Sequence, residues 1–428
     1  MKKKGENIDS ESPEKKRGRG VAAADAAATN VRPQTALPHN AKAHLCAQKA
    51  DSQMPDWDRL DLYDYDLPEE LIAKEPLADR DASRLLVLDR SSGSIQHRAF
   101  RDLPGLLRPG DCLVLNDSRV LPARLLGRRL ATGGAWEGLY LQSTSDGLWK
   151  LICQTRGKLQ PGEQIGVMPA HSVRPHQDVR ERQVSGTRAT HEKRDRDAKL
   201  ILTLLEVNAE GIWLARCEQA GEALDLLQQF GTVPLPPYIR RQRATQTDWE
   251  RYQTEYARVP GSVAAPTAGL HFTARLRAEL AQRGIPQVFV TLHVGIGTFR
   301  PVSTNRLSEH RMHEEWCELS EQTARVLRET RARGGRIVAV GTTTVRTLET
   351  VARSGPLRAW RGTTDLFIRP PYRFRAVDVL LTNFHLPRST LLVLVCAFAG
   401  LEPIRRAYAE AVARQYRFYS YGDAMLIL

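Results

Sequence analysis

Three histidines carry the clearest chemical signal in this chain. His293 follows an apolar, β-branched run at 288–292 and precedes Gly295 and Gly297 in QVFVTLHVGIGTFRPV (287–302). The run reads as a buried strand, and two glycines two apart let backbone approach a ligand where a Cβ would clash. A plain tight turn explains the glycines equally well. His271 lies in AAPTAGLHFT (264–273), and His385 follows the apolar run 377–381 within TNFHLP (382–387). Two of the three therefore sit just past a strand-like run, among Gly, Thr, Asn and Pro. In open α/β sheets and β/α barrels, ligand sites form beyond the carboxyl ends of the strands. Three imidazoles gathered there would make a polar pocket suited to proton transfer.

Other polar clusters follow the same pattern. The apolar run 111–116 ends in NDSR (116–119), which is either a site edge or a capped turn. The strand-like 336–340 runs into GTTT (341–344), where Thr342 and Thr343 open a helix. The first N–H groups of such a helix suit an anionic or carboxylate group, or simply an N-cap with no ligand. His310 and His313 have HxxH spacing, which on a helix would put both rings on one face. No third ligand stands at a recognisable spacing, so no metal is expected. The chain has no GxSxG elbow, P-loop or GxGxxG fingerprint, which excludes the common serine hydrolases and nucleotide enzymes.

The elements that must hold these residues alternate. Strand patterns at 84–89, 94–100 and 111–116 precede a stretch of different texture, 121–233, where short alternating runs are separated by Gly-containing turns. That texture predicts a small antiparallel barrel or sandwich. Beyond the stiff PLPPYIRR (234–241), helix patterns at 249–256, 273–284, 318–333, 345–353, 391–400 and 403–416 alternate with strands at 288–292, 336–340 and 377–381. The expected fold is therefore an α/β domain, with an open sheet or β/α barrel-like core, spanning 59–120 and 234–428 and interrupted by a β-barrel at 121–233. Residues 1–58 and a charge-mixed insertion at 171–198 have the composition of disordered segments. Met54 is an alternative start to Met1.

At 428 residues, with 42% hydrophobic residues and a mean hydropathy of −0.40, the chain reads as a soluble globular protein. Its formal net charge is +13. The first 58 residues carry ten Lys/Arg against eight Asp/Glu, so nearly all the excess falls on the folded part. A basic folded surface suggests a polyanionic partner, most simply nucleic acid; solvated charged faces are the bland alternative. Six cysteines are dispersed without a CxxC pair, as expected of reduced thiols in a cytosolic protein. The apolar run 391–401 is about half the roughly twenty residues that span a bilayer, and no secretory segment is visible. From these residues alone, the chain reads as an acid/base transferase acting on a nucleic acid.

Six segments extend that reading. GDCLVLNDSRVLPAR (110–124), PLPPYI (234–239), APTAGLHFT (265–273), LHVGIGTFRPV (292–302), TNFHLPRSTLL (382–392) and SYGDAML (420–426) resemble the S-adenosylmethionine:tRNA ribosyltransferase-isomerases of queuosine biosynthesis. The resemblance runs from about residue 61 to the C-terminus, with its long motifs in order; residues 1–58 and 171–198 lie outside its pattern. It implies an α/β domain interrupted by a small β-barrel. It also implies an enzyme that consumes S-adenosylmethionine as a ribosyl donor, without a further cofactor. The acceptor would be the aminomethyl group of 7-aminomethyl-7-deazaguanine at the tRNA wobble position, and epoxyqueuosine, adenine and methionine the products.

On this resemblance His271, His293 and His385 share the proton transfers, with Asp117 among the catalytic residues. Thr267, Gly269, Gly295, Gly297, Thr298, Thr342, Thr343 and Asn383 shape the donor pocket. Asp117, Arg119 and Asp423 orient the ribose or the methionine moiety. Arg240, Arg241 and Arg243 hold anticodon-stem phosphates. The enzyme is expected to be a cytoplasmic monomer. Two rivals predict different behaviour: a tRNA-binding module would not need the pocket histidines, and a metal-dependent hydrolase using His310 and His313 would lose activity on chelation.

Overall fold

The computed structural model describes residues 56–170, 200–239, 244–295 and 302–428. The expectations for 171–198, for Arg240, Arg241 and Arg243, and for Gly297 and Thr298 lie outside the described residues, as does that for 1–58 except at 56–58, where Asp58 is bonded to Ser308 and Arg369 and so belongs to the fold.

The main domain is built on an open nine-stranded sheet in the order Trp360–Thr364, Glu315–Leu319, Gln287–Leu292, Cys112–Asn116, Ile337–Val340, Val379–Asn383, Ala424–Ile427, Arg84–Leu88, Ile95–Ala99. Of the two arrangements expected, the open sheet is the one formed. The four strands from Gln287–Leu292 to Val379–Asn383 are mutually parallel, while antiparallel pairings enter on both flanks. Three of those four are buried at every position, and apolar up to their carboxyl ends, because both their faces are covered. Alternate residues feed two cores. Leu113, Leu115, Val338, Val340 and Leu381 pack with Leu276 and Leu280 of the helix Ala274–Gln282. Val114, Ala339 and Leu380 face the opposite layer, packing with Leu327, Leu348, Val393 and Tyr408 from four other helices.

Local chemistry sets the helix bounds. The Thr273, Ser320 and Ser389 hydroxyls accept from the backbone N–H of Leu276, Thr323 and Leu392, capping their helices. Two helices depart from their patterns in an instructive way. Glu318 and Leu319 belong to the strand Glu315–Leu319, so the helix starts at Glu321 behind the Ser320 cap. The helix near Trp249 is Gln246–Arg251, opened by a Thr245/Asp248 capping box; Tyr252 and Tyr256 are buried beyond its end.

The second sheet is the expected antiparallel barrel. Its strands run Arg124–Arg129, Ala135–Ser143, Trp149–Thr155, Ile212–Cys217, Leu200–Val207 and Gln164–Val167, and the last pairs back onto the first. Closure leaves those six strands without a free edge. Every second side chain, including Leu125, Trp136, Leu151, Ile165, Leu202 and Ala215, fills the interior. The helix Ala223–Phe230 and the short strand Gly231–Thr232 lead the chain out, the strand pairing with Leu125 and Arg124.

Candidate active site

Four adjacent parallel strands end on one edge of the main sheet, and each delivers polar groups there. Asn116 ends Cys112–Asn116, and His293 follows Gln287–Leu292. Thr342 and Thr343 follow Ile337–Val340, while Asn383 and His385 end and follow Val379–Asn383. The chain passes from Cys112–Asn116 to a neighbour on one side and then to the neighbour on the other. A crevice for a ligand opens where an α/β sheet changes direction in this way.

The strand ends are locked together by Asn116. Its Nδ2 donates to the Leu292 carbonyl (3.0 Å) and Thr343 Oγ1 (3.1 Å). Its Oδ1 accepts from the N–H groups of Ser118 and Leu292. Beyond it lies a cleft lined by Thr267, Val294, Gly341, Thr342, Thr343, Asn383 and His385, with Tyr419 and Ser420 from the C-terminal segment. Gly341, at φ 86°, turns the chain into the helix Thr342–Ala352, so that helix's N-terminus borders the cleft.

The three histidines stand in different relations to this cleft. His385 lines it directly: Nε2 is 2.9 Å from Thr382 Oγ1, and its backbone N–H donates to the Tyr408 hydroxyl. Burial pushes its pKa down to about 3. His271 lies behind the wall and reaches the cleft through Asn383. Thr267 Oγ1 donates to Asn383 Oδ1 (3.0 Å), and Asn383 Nδ2 lies 3.2 Å from His271 Nε2. With that amide donating, the neutral ring carries its proton on Nδ1 and donates to Ser83 Oγ (2.7 Å). The Ser83 hydroxyl in turn donates to the Arg80 carbonyl. Burial, the largest cause, holds the His271 pKa near 4. Both rings are therefore neutral near pH 7.

His293 is not part of the cleft lining. Its Nδ1 lies 2.7 Å from Ser118 Oγ, and its ring stacks on Trp316 with centroids 4.8 Å apart. Gly261, at φ 149°, passes beneath the imidazole; a Cβ there would come 2.5 Å from Nε2. Burial lowers the His293 pKa, and the negative charge of Asp117 pulls it back up. Asp117 acts at a distance: its own carboxylate accepts from Thr291 Oγ1 (2.7 Å) and Arg258 Nη2 (2.7 Å).

The loop after His293 is tied to the helix across the cleft. Gly295 N–H donates to Glu315 Oε1 (2.7 Å), and Glu315 forms a buried ion pair with Arg346, whose guanidinium also donates to the carbonyls of Thr364 and Leu366. Motif membership marks neither Glu315 nor Arg346, nor Ser83, Gly261 and Arg258. No local sequence signal singles them out, because their partners are far away in the chain.

Like Asp117 and Gly295, three further residues expected at the pocket are absent from the cleft lining. Gly269 is a packing glycine, where a Cβ would overlap the Tyr256 hydroxyl. The Asp423 carboxylate accepts from the backbone N–H groups of Arg84 (2.9 Å) and Arg417 (2.8 Å) and from Arg84 Nε. Only its backbone carbonyl meets Asn383. Arg119 is exposed and absent from the cleft lining. His310 and His313 fall in a segment with no helix, so HxxH does not place their rings on one helical face. Among the described residues, no group of three or more His, Cys, Asp or Glu could hold a metal ion.

An open mixed sheet with four parallel central strands, an amide- and imidazole-lined cleft at their carboxyl ends, and a closed barrel inserted after its third strand in chain order define the class of protein. A family model described as queuosine biosynthesis protein matches residues 60–427. S-adenosylmethionine:tRNA ribosyltransferase-isomerases from Symbiobacterium thermophilum and an Anaeromyxobacter species are 50% and 49% identical to the chain. Each match covers 86% of this chain, and 100% and 99% of the relative. A crystal structure of S-adenosylmethionine tRNA ribosyltransferase from Thermotoga maritima is 40% identical, covering 86% of this chain and 100% of that one, with a TM-score of 0.47. The chain belongs to the queuosine biosynthesis protein family. It is a transferase-isomerase.

Proposed function

We propose that this enzyme moves the ribosyl group of S-adenosylmethionine onto the aminomethyl group of 7-aminomethyl-7-deazaguanine at the wobble position of a tRNA. The group is isomerised to an epoxycyclopentanediol, giving epoxyqueuosine, and adenine and methionine leave. S-adenosylmethionine is a consumed co-substrate, and no other cofactor takes part. The observation that carries this reading is the gathering of Thr342, Thr343, Asn383 and His385 in one cleft at the ends of adjacent parallel strands, with His293 just past the end of a neighbouring parallel strand. Names of relatives about half identical over nearly the whole folded region support the substrates.

The chemistry needs a base, an acid and a site for the methionine moiety. The sulfonium acidifies the ribose 5′ carbon, and we assign removal of that proton to His293. It is only partly buried, and Asp117 restores some of its basicity. His385 and His271, held neutral by burial, supply hydrogen bonds without charge; we assign them to the departing adenine and to the orientation of Asn383. Thr342 and Thr343, at a helix N-terminus, suit the methionine carboxylate. Arg240, Arg241 and Arg243 remain proposed contacts to the anticodon stem. The enzyme is read as a cytoplasmic monomer; no helix among the described residues is long and apolar enough to cross a membrane.

Incubation with S-adenosylmethionine and wobble-modified tRNA, followed by nucleoside mass spectrometry, tests the reading. Adenine, methionine and epoxyqueuosine should appear together. A methylated tRNA, or no adenine, would overturn it.

A further inference from the structure

Two arginines flank a groove that the chemistry above does not use. It is lined by Arg119, Gln228, Trp249, Gln253, Arg258 and Pro260, at the junction of the helix Ala223–Phe230 with the main domain. Its floor is a two-stranded parallel ribbon, Ser118–Val120 against Val259–Ser262, in which Arg119 pairs with Pro260. Gln253 braces the ribbon, accepting from Val120 N–H and donating to Val120 carbonyl. Side chains alternate across a strand, so Ser118 and Arg119 face opposite sides. Ser118 meets His293, and Gly261 of the partner strand lies under the same imidazole. The groove and the base proposed above thus share one ribbon, a residue apart.

The groove's chemistry is that of a nucleic-acid surface. The Arg119 side chain is exposed, and its guanidinium makes no hydrogen bond or ion pair among the described residues. Arg258, also largely exposed, gives one edge of its guanidinium to Asp117. The Trp249 indole is half-buried beside them. A cation next to an aromatic face binds single-stranded or looped nucleotides, one on the phosphate and the other on the base. The chain's excess of thirteen positive charges points the same way.

We infer that this groove seats the RNA of the substrate and that Arg119 is a positioning residue for it, holding a phosphate so that the modified base crosses the ribbon to His293. The inference rests on the proposed function for the identity of the RNA. It assigns Arg119 to the acceptor and away from the donor, the role its motif suggested.

The test compares wild-type full-length chain with Arg119→Ala, Arg119→Lys and Arg325→Ala, the last removing a charge outside the groove. Initial rates are measured while modified tRNA and S-adenosylmethionine are varied in turn. For Arg119→Ala the KM for tRNA should rise about tenfold, with kcat and the KM for S-adenosylmethionine within about twofold of wild type. Arg119→Lys should recover most of the loss, and Arg325→Ala should show none. The salt dependence of tRNA binding, read by filter retention, should fall by about one phosphate contact in Arg119→Ala. A raised KM for S-adenosylmethionine with that for tRNA unchanged would return Arg119 to the donor site and overturn the inference. So would an unchanged tRNA KM and salt slope, or an equal effect from Arg325→Ala. Filter retention does not depend on turnover. An inactive wild type that loses tRNA affinity with Arg119→Ala would sink the proposed reaction and leave the groove assignment standing.

Discussion

Ser118 Oγ lies 2.7 Å from His293 Nδ1, and the two residues are 175 positions apart in the chain. The ring is held on three sides: Ser118 at Nδ1, Trp316 stacked on one face, and Gly261 beneath Nε2. An imidazole oriented in this way is preorganised for one proton transfer. His293→Ala should lower the rate of adenine release by about 10²- to 10⁴-fold, the range for a lost general base. Ser118→Ala, which removes one hydrogen bond worth about 1 kcal/mol, should cost about fivefold. Gly261→Ala would drive a methyl group into the ring, so it should impair turnover more than Ser118→Ala. Single-turnover kinetics on folded variants check all three.

Acid should unfold the protein from a defined point. The pKa values of His271 and His385 are lowered by burial to about 4 and 3, from an ordinary value of 6.5. Below pH 6.5 the unfolded chain takes up protons that the folded chain refuses. Stability is therefore full above about pH 7 and falls as pH drops toward 4, by up to about 1.4 kcal/mol per pH unit for each ring. Denaturant titrations between pH 8 and pH 5 should show this slope. A flat midpoint across that window would contradict the assignment.

Glu315 and Arg346 are both buried and paired with each other. Glu315→Gln or Arg346→Met alone should cost about 3–5 kcal/mol, since each strands a partner in the interior. The double variant should cost much less than the sum of the two. A denaturant double-mutant cycle reads the difference.

Gly269 and Gly295 both come from histidine-containing motifs but should respond in opposite ways. Gly269→Ala overlaps the Tyr256 hydroxyl, which is buried and has no hydrogen-bond partner among the described residues. It should cost about 1–3 kcal/mol of stability, in part recovered by Tyr256→Phe. At Gly295 the nearest atom to an added Cβ among the described residues would be Glu315 Oε1 at 3.6 Å, so Gly295→Ala should change stability by less than about 1 kcal/mol. Thermal melts distinguish the two.

The strand ends were legible in the sequence because parallel strands buried on both faces are continuous apolar runs, and the polar residues that stop them stand out. His293, Thr342, Asn383 and His385 were visible for that reason. The barrel showed through its alternation, as in Ala135–Ser143. What the sequence hid was partnership. Asp117 is bonded to Arg258 and Thr291, 141 and 174 residues away, and no local pattern marks either. Gly269 and Asp423 sit in motifs beside pocket residues, yet one packs against Tyr256 and the other anchors backbone. A motif preserves packing and chemistry together, and only the contacts separate them. The helix expected from Glu318 overran for a related reason: the alternating burial of Glu315–Leu319 belongs to a flanking antiparallel strand, which the following amphipathic stretch obscured.

The most direct measurement uses S-adenosylmethionine deuterated at the ribose 5′ carbon, mixed with wobble-modified tRNA and either wild type or His293→Gln. The account predicts that wild type releases deuterium to solvent together with adenine, and that His293→Gln binds both substrates but releases neither. Deuterium exchange by His293→Gln at the wild-type rate would contradict the assignment of the base, and wild-type adenine release with all the label retained would contradict the mechanism.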